Sequence, residues 1–329
     1  MRLSSVVSVG YDGGSVRIIF SAGPSLHNHA YLSRVGRRAR VVPPDWQLNT
    51  SPRRRYSVRR VTVQLGCNTV VFGGADLATA LQHVAWAGYK NVELAAIKGM
   101  CEHLSLEGGP EHVREVRRLL DENGLRVTAM EAATTDRTRL DGLFGLAAEL
   151  GIGIVNIGSG GTTGDEEATK ASIANIADLA KLAGQHGIKL AVKPHVGQAI
   201  YNGATALRLV GEVTEPALGL NFDPSHLFRA DEQPQEVAHR WGKHIITSHF
   251  RDCASRDRAV GPPETQIPGR GIVDIPATLA ALAEIGYAGP LNLEVIGAGA
   301  YPLSRAMGVA AESRGYLHRC LHEIPGAST

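Results

Sequence analysis

Three residues of this 329-residue chain stand where an apolar run meets a side chain able to hold a cation. LGLNFD ends in Asp223, HIITSHF carries His249, and PLNLEVI carries Glu294. Two carboxylates and an imidazole suit a borderline-to-hard divalent ion: Mn2+, Mg2+, Co2+ or Zn2+. Without a cation, the same cluster would press two acids together and cost stability. Other polar residues close apolar runs in the same manner. Lys193 ends IKLAVK, His195 follows it, His226 completes D-P-S-H, and Arg251 and Asp252 follow His249. Glu93, in NVEL, reads as a satisfied polar group at a strand end, and Asp252 reads equally well that way.

Such residues meet only if the chain brings the ends of several strands together. From Val61 onward, eight short apolar segments alternate with helical patterns: 61–66, 91–94, 125–131, 153–158, 188–193, 218–223, 244–250 and 290–296. Several are nearly continuous hydrophobic runs, as parallel strands covered on both faces are. In DLATALQHVAWAG, Leu77, Leu81, Val84 and Ala85 keep helical spacing, and Gly88 supplies the stop. The phrase "helix, Gly, strand" recurs in AGYKNVEL, ENGLRVTAM, LGIGIVNI, QHGIKLAV and IGYAGPLNLEV. Eight β/α units predict one (β/α)8 barrel over residues 61–329, with its chemistry at the C-terminal ends of the strands. A doubly wound sheet would need a G-x-G-x-x-G turn after its first strand, where this chain has CNTVVFGG.

Residues 1–60 read differently. Eleven arginines against Asp12 and Asp45 give them a charge of +9, while 23 basic and 30 acidic side chains leave the remainder at −7. Apart from a strand expected at Val16–Phe20, their periodicity is broken, and they are set aside from the barrel. Three readings fit: an Arg-rich organellar leader, a disordered basic arm for an acidic partner, or upstream text before a true start at Val61. A chain beginning at Val61 is expected to fold. The acidic body offers no general attraction for nucleic acid. No apolar run reaches the length of a membrane helix. The four cysteines are scattered without a C-x-x-C pair, which fits a reducing cytoplasm better than a disulfide framework.

The phrases G-Y-K-N-V-E-L, L-A-V-K-P-H, F-D-P-S-H, S-H-F-R-D, P-G-R-G-I-V-D and L-N-L-E-V together resemble the xylose isomerase-like superfamily of sugar phosphate isomerases and epimerases, which also holds the endonuclease IV group. The resemblance covers essentially residues 61–320. It implies a divalent metal held by a Glu on the fifth strand, an Asp on the sixth, a His on the seventh and a Glu on the eighth. Asp223, His249 and Glu294 match the last three, and Lys193 stands where the fifth-strand Glu is expected. It also implies that His226 and Arg251 touch substrate, whereas Arg270 departs from the family's usual Glu. Barrels of that family commonly pair, so a homo-oligomer is compatible with the resemblance.

The implied reaction is proton transfer beside a carbonyl, through an enediolate, on a small sugar, sugar phosphate or polyol ketone. Glu294 is then both ligand and base, and Lys193 is either a second base or a clamp for a substrate anion. A metal close to Lys193 would depress its pKa and favour the base. His195 is a substrate contact or a replacement ligand. The glycine-rich IGSGGTTGDEE loop offers a phosphate cradle or a plain connection, and Cys101 and His103 stand near the mouth. A lyase, inosose dehydratase-like or C-glycoside deglycosidase-like, begins with the same enolisation. A non-catalytic barrel subunit is a further alternative. An endonuclease is disfavoured, because the barrel is acidic and C-A-S-R-D-R lacks the extra histidine after the seventh strand.

Overall fold

All eight apolar segments form strands, and they close into one ring. They are β1 (Gln64–Asn68), β2 (Asn91–Ile97), β3 (Arg126–Glu131), β4 (Ile154–Ile157), β5 (Lys189–Val192), β6 (Leu218–Phe222), β7 (Ile245–Phe250) and β8 (Pro290–Leu293). Each strand pairs in parallel with its sequence neighbours, and β8 and β2 both pair with β1, which closes the barrel. The computed structural model describes residues 6–12, 15–21, 61–257 and 259–329.

The main helices are α1 (Leu77–Trp86), α2 (Gly109–Asn123), α3 (Arg137–Leu150), α4 (Glu166–Gln185), α5 (Gly203–Glu212), α6 (Pro224–Arg229), α7 (Pro234–Trp241), α8 (Ile275–Glu284) and, after the last strand, α9 (Leu303–Glu323), with a single turn at Pro263–Gln266. The expected α1 begins where the Asp76 carboxylate accepts from Thr79 N at 2.7 Å, which satisfies a helix-start amide. The glycines of the recurrent phrase all take the left-handed conformation: Gly88, Gly124, Gly151, Gly187 and Gly286 have φ between 60° and 90°. Each turns a helix sharply back into the next strand, where a Cβ would be strained.

Alternation along the strands divides the side chains into two sets. Val92, Leu94, Met130, Val155, Ile157, Leu190, Val192, Leu220, Phe222, Leu291 and Leu293 are fully buried in the hydrophobic core. The opposite parity carries Asn68, Glu93, Glu131, Asn156, Lys193, Asp223, His249 and Glu294, and these meet inside the barrel at its C-terminal end. Space there is tight at the bottom: a Cβ on Gly66 would collide with the Asn292 side chain.

The chain divides into two units, Met1–Arg55 and Tyr56–Thr329. In the first, Val6–Asp12 pairs antiparallel with Ser15–Ser21, which contains the strand expected at Val16–Phe20. The leader, disordered-arm and start-site readings of the rest of residues 1–60 fall outside the described residues. Within the second unit, Val61–Thr62 pairs with Ala327–Ser328, so the two ends of the barrel segment lie together. Among the described residues no helix is long and apolar enough to cross a membrane.

Candidate metal centre

Lys193, Asp223 and Glu294 each sit one residue beyond the end of their strand. Backbone bonds from Lys193 N to Ile157 O and from Glu294 N to Phe250 O continue the ladder and fix where these side chains leave it. D-P-S-H sets Asp223. Its Oδ1 caps α6, accepting from Ser225 N at 2.9 Å, Ser225 Oγ at 2.7 Å and His226 N at 3.3 Å. Pro224 occupies the first helical position, where its missing N–H costs nothing. One carboxylate oxygen is thereby spent on the helix, and Oδ2 is left for the barrel interior.

His249 is fully buried and held from both sides. Its Nε2 lies 2.7 Å from Glu93 Oε2, and its Nδ1 lies 3.3 Å from Glu294 Oε1. Glu93 also accepts from Asn68 Nδ2 at 2.8 Å and from Asn156 Nδ2. A carboxylate so placed accepts the Nε2 hydrogen, which assigns the neutral ring the tautomer with its lone pair on Nδ1. That lone pair faces Glu294. The strand-end reading of Glu93 was correct in that the carboxylate is satisfied, but it missed that its partner is His249. Glu131, Asn68 and Asn156 were missed altogether, although the first two close their strands as Asp223 does and Asn156 interrupts the apolar run of β4.

Two cations complete the cluster. Lys193 Nζ lies 2.9 Å from Glu294 Oε1 and 3.0 Å from His249 Nδ1. Arg251 spans the acids, with Nη1 3.0 Å from Glu294 Oε2 and Nη2 3.3 Å from Asp223 Oδ2. Burial works against the Lys193 charge, but Glu294 and Glu131 outweigh it and hold its pKa above the usual value. In this arrangement the amine is an ammonium, not the neutral base that a nearby metal would favour. Burial also opposes charge on His249, yet Glu93 and Glu294 lift its pKa to about 10. A proton on Nδ1 would meet Lys193 donor to donor at 3.0 Å. With the lysine charged we therefore assign a neutral imidazole, since the geometry is more direct than the summed field. Burial raises Glu294 too, but the cations Lys193 and Arg251 prevail and hold it well below the usual range.

The donors suit a divalent ion. Asp223, His249 and Glu294 form one buried triad and Glu93, Glu131 and His249 another, each with its ligand atoms within 4.8 Å of one another. Asp223 Oδ2, Glu294 Oε2 and Glu131 Oε2 are buried without a hydrogen-bond partner among the described residues; the Arg251 contacts to the first two are ion pairs without hydrogen-bond alignment. Buried acceptors left in this way are costly unless a cation takes them. In the second triad, Glu93 is already spent on Asn68, Asn156 and His249. The first triad is thus the better seat.

Burial pushes Glu131 from its ordinary 4.5 up to about 7, against the pull of Lys193. A carboxyl raised in the fold favours folding while protonated, so that contribution is lost as pH climbs from about 4.5 to about 7. In metal-free buffer, Glu131→Gln should flatten the fall in Tm across this window. Parallel melting curves for both proteins from pH 4 to pH 8 would count against the assignment.

The remaining expected residues have the following placements. His195 belongs to neither triad. β5 ends before it, and its ring packs against His226 with centroids 4.0 Å apart. Burial and nearby Lys193 depress its pKa to about 4. His226 is 1% exposed, with its Nε2 2.7 Å from Arg251 Nη2 and its Nδ1 accepting from Val196 N at 3.2 Å. Burial first, then Arg251, keeps it neutral. Asp252 clamps a loop, accepting from Cys253 N, Gly269 N and Val273 N at 2.9–3.0 Å. Arg270 pairs with Glu312 on the surface. In the glycine-rich loop, Ser159 N and Gly160 N donate to Gln198 Oε1, and Asp165 caps α4, so these amides are already taken. Cys101 Sγ lies 3.3 Å from His103 Nδ1, and burial lifts the thiol to about 11. All four cysteines are buried and free.

Residues 81–320 match the family model described as xylose isomerase-like TIM barrel. The chain belongs to that family. Among curated relatives, the inosose isomerase of Bacillus subtilis (strain 168) is 27% identical over 133 residues, 40% of this chain and 48% of that protein. The 3-dehydroshikimate dehydratase of Pseudomonas aeruginosa is 27% identical over 253 residues, 72% of this chain and 38% of that protein. This xylose isomerase-like chain thus matches about half or less of each relative's length. Among solved structures, the IOLI protein with a bound zinc atom superposes with TM-score 0.66 at 20% identity, covering 78% of this chain and 99% of that one. A D-allulose 3-epimerase from Methylomonas sp. gives 0.63 at 19% identity, covering 79% and 99%. At such identities these superpositions establish the fold alone.

Proposed function

We propose that the barrel is an enolising enzyme, an isomerase or epimerase, that moves a proton on the carbon beside the carbonyl of a small polyhydroxylated ketone. The observation that carries this reading is the convergence of Asp223, His249 Nδ1 and Glu294 at the strand ends, with Lys193 and Arg251 against them. Asp223, His249 and Glu294 would hold a divalent ion, and when bound it supplies the Lewis acid that polarises the carbonyl. Zinc in the IOLI protein, on the same fold, makes zinc one candidate beside Mn2+, Mg2+ and Co2+.

The chain's own groups divide the remaining work. Glu294 would serve as both ligand and base, one of its two oxygens for each role, since Oε2 receives no hydrogen bond. Arg251 beside it keeps that carboxylate ionised before the transfer. The Lys193 ammonium is the group able to hand a proton back, which an isomerase or epimerase requires. Ser225 Oγ, which accepts from Arg251 Nε at 3.0 Å, positions the guanidinium.

A dehydratase is the second reading. Two observations favour it: the longer of the two alignments is to a dehydratase, and an ammonium can protonate a departing hydroxyl. Both reactions begin with loss of the same C–H proton. Purified protein should therefore exchange that hydrogen for deuterium in an inosose, a ketohexose or 3-dehydroshikimate, followed by NMR, with water lost as well if it is a dehydratase. Absence of both exchange and product with all three ketone classes, in the presence of each metal, would end the enolising reading.

A further inference from the structure

Three cations gather at the end of the barrel opposite the metal centre, where the strands begin. Lys90 immediately precedes β2, Arg126 opens β3, and Arg314 belongs to α9. With the first residues of β1 and the turn at Gly88 they line a cavity of about 420 Å³. A Cβ on Gly88 would stand 3.0 Å from Arg314 Nε and 3.1 Å from its Cζ, so the guanidinium occupies space beside the turn that a side chain would otherwise fill. Three elements distant in sequence thus deliver their charges to one opening.

None of these three side chains has a hydrogen bond or an ion pair among the described residues. No Asp or Glu lines the cavity, and Thr329, which borders it, pairs with none of the three. Elsewhere on the barrel such side chains find acids: Arg118 pairs with Glu115 and Glu122, and Arg208 with Glu166 and Glu212. Residues 61–329 carry a charge of −7, so acids are not scarce. Like charges around one cavity repel one another unless an anion stands between them. Gln64, on the same wall, adds an amide without a partner that can bond hydroxyl groups.

The structure assigns this cavity to a small organic molecule bearing two phosphoryl groups, held by Lys90, Arg126 and Arg314. Two phosphoryl groups carry about three to four negative charges near neutrality, which matches three cations. Arginine meets phosphate through paired N–H donors, and lysine as a point charge. The volume lies within the ordinary range for small-molecule sites. A nucleic acid would have to approach the acidic body, whereas a small molecule meets only the cavity. The site is separate from Asp223, His249 and Glu294, which stand at the other ends of the strands, and it does not rest on the enolising reading.

The test is calorimetry of the full chain in buffer stripped of divalent ions, with pyrophosphate, fructose bisphosphate, inorganic phosphate and fructose as probes. Wild type should bind pyrophosphate and fructose bisphosphate saturably, inorganic phosphate more weakly and fructose not at this site. Arg314→Met should weaken both doubly charged probes by about tenfold, as loss of a charge-assisted hydrogen bond does. Lys90→Ala and Arg126→Ala, both at exposed positions, should each weaken them by about threefold. No saturable binding of either probe by wild type would overturn the site. Affinity unchanged in all three variants would place the anion elsewhere, on the arginines of residues 1–60 or at Lys193 and Arg251, and would overturn it too. Equal affinity for fructose and its bisphosphate would remove the phosphoryl groups as the recognised feature. Should Arg314→Met fail to fold, the surface double variant Lys90→Glu/Arg126→Glu decides, since reversing two of the three charges should abolish binding. Only binding is read, so failure here leaves the enolising reading untouched.

Discussion

His249→Ala should leave the barrel without a bound divalent ion and without C–H exchange. The ring is the sole imidazole in the first triad, and its Nδ1 is the only nitrogen donor there. Removing an outer partner of a metal ligand typically costs roughly 10–100-fold in affinity, and removing the ligand itself should cost more. This variant opens a cavity where the buried ring stood but leaves its neighbours paired. Glu93 keeps Asn68 and Asn156 as donors, and Lys193 keeps Glu294. Asp223→Ala and Glu294→Ala should lose the ion too, but each does further harm. The first removes the cap of α6, costing about 1 kcal/mol. The second leaves Lys193 and Arg251 side by side without their shared carboxylate. Elemental analysis of dialysed protein and deuterium uptake by NMR are the measurements. A stoichiometric ion retained by His249→Ala would place the metal elsewhere or nowhere.

Glu93→Ala should be the most destabilising single change in the cluster. Glu93 is fully buried and accepts from two amides and an imidazole. Removing one member of a buried charged network costs about 3–5 kcal/mol, since the partners stay buried and unpaired. At the usual scaling that is a fall in Tm of roughly 6–20 °C. His249 would lose the acceptor that fixes its tautomer, so metal affinity should drop alongside, by roughly 10–100-fold. Glu93→Gln separates the two effects. It fills the same space but turns an N–H towards donors, so packing is kept while the electrostatics are lost. A Tm within a few degrees of wild type for Glu93→Ala would mean that the carboxylate is dispensable to the fold.

The barrel was legible in the sequence because its rule is local: an apolar run, a helical period, a glycine. Gly88, Gly124, Gly151, Gly187 and Gly286 punctuate the chain where helices turn into strands, so the units could be counted without knowing how they close. The triad was legible because Asp223, His249 and Glu294 interrupt apolar runs with side chains that burial alone does not explain. Glu93 was half legible, as its type was seen and its partner, 156 residues away, was not. Glu131 and Asn156 passed unnoticed because an acid or amide in or at the end of a strand is also ordinary surface chemistry. The fate of the IGSGGTTGDEE amides could not be read from the loop itself, since their acceptor, Gln198, comes from the segment after β5. Lys193 was visible as a departure from the family pattern, but its contacts with Glu294 and His249 depend on three strands meeting.

The pairing of Val61–Thr62 with Ala327–Ser328 has a topological consequence. Val61 N donates to Gly326 O at 2.8 Å and Val63 N to Ser328 O at 2.9 Å, so the first and last residues of the barrel segment are neighbours. The order of the eight units along the chain is then separable from their order around the ring. A short linker from residue 329 back to residue 61, with a new opening cut in an exposed connection, would yield a circular permutant carrying the same cyclic succession of strands. The donors at the mouth would be encoded in a rotated order and would still meet, because their convergence is a property of the closed ring and not of where translation begins.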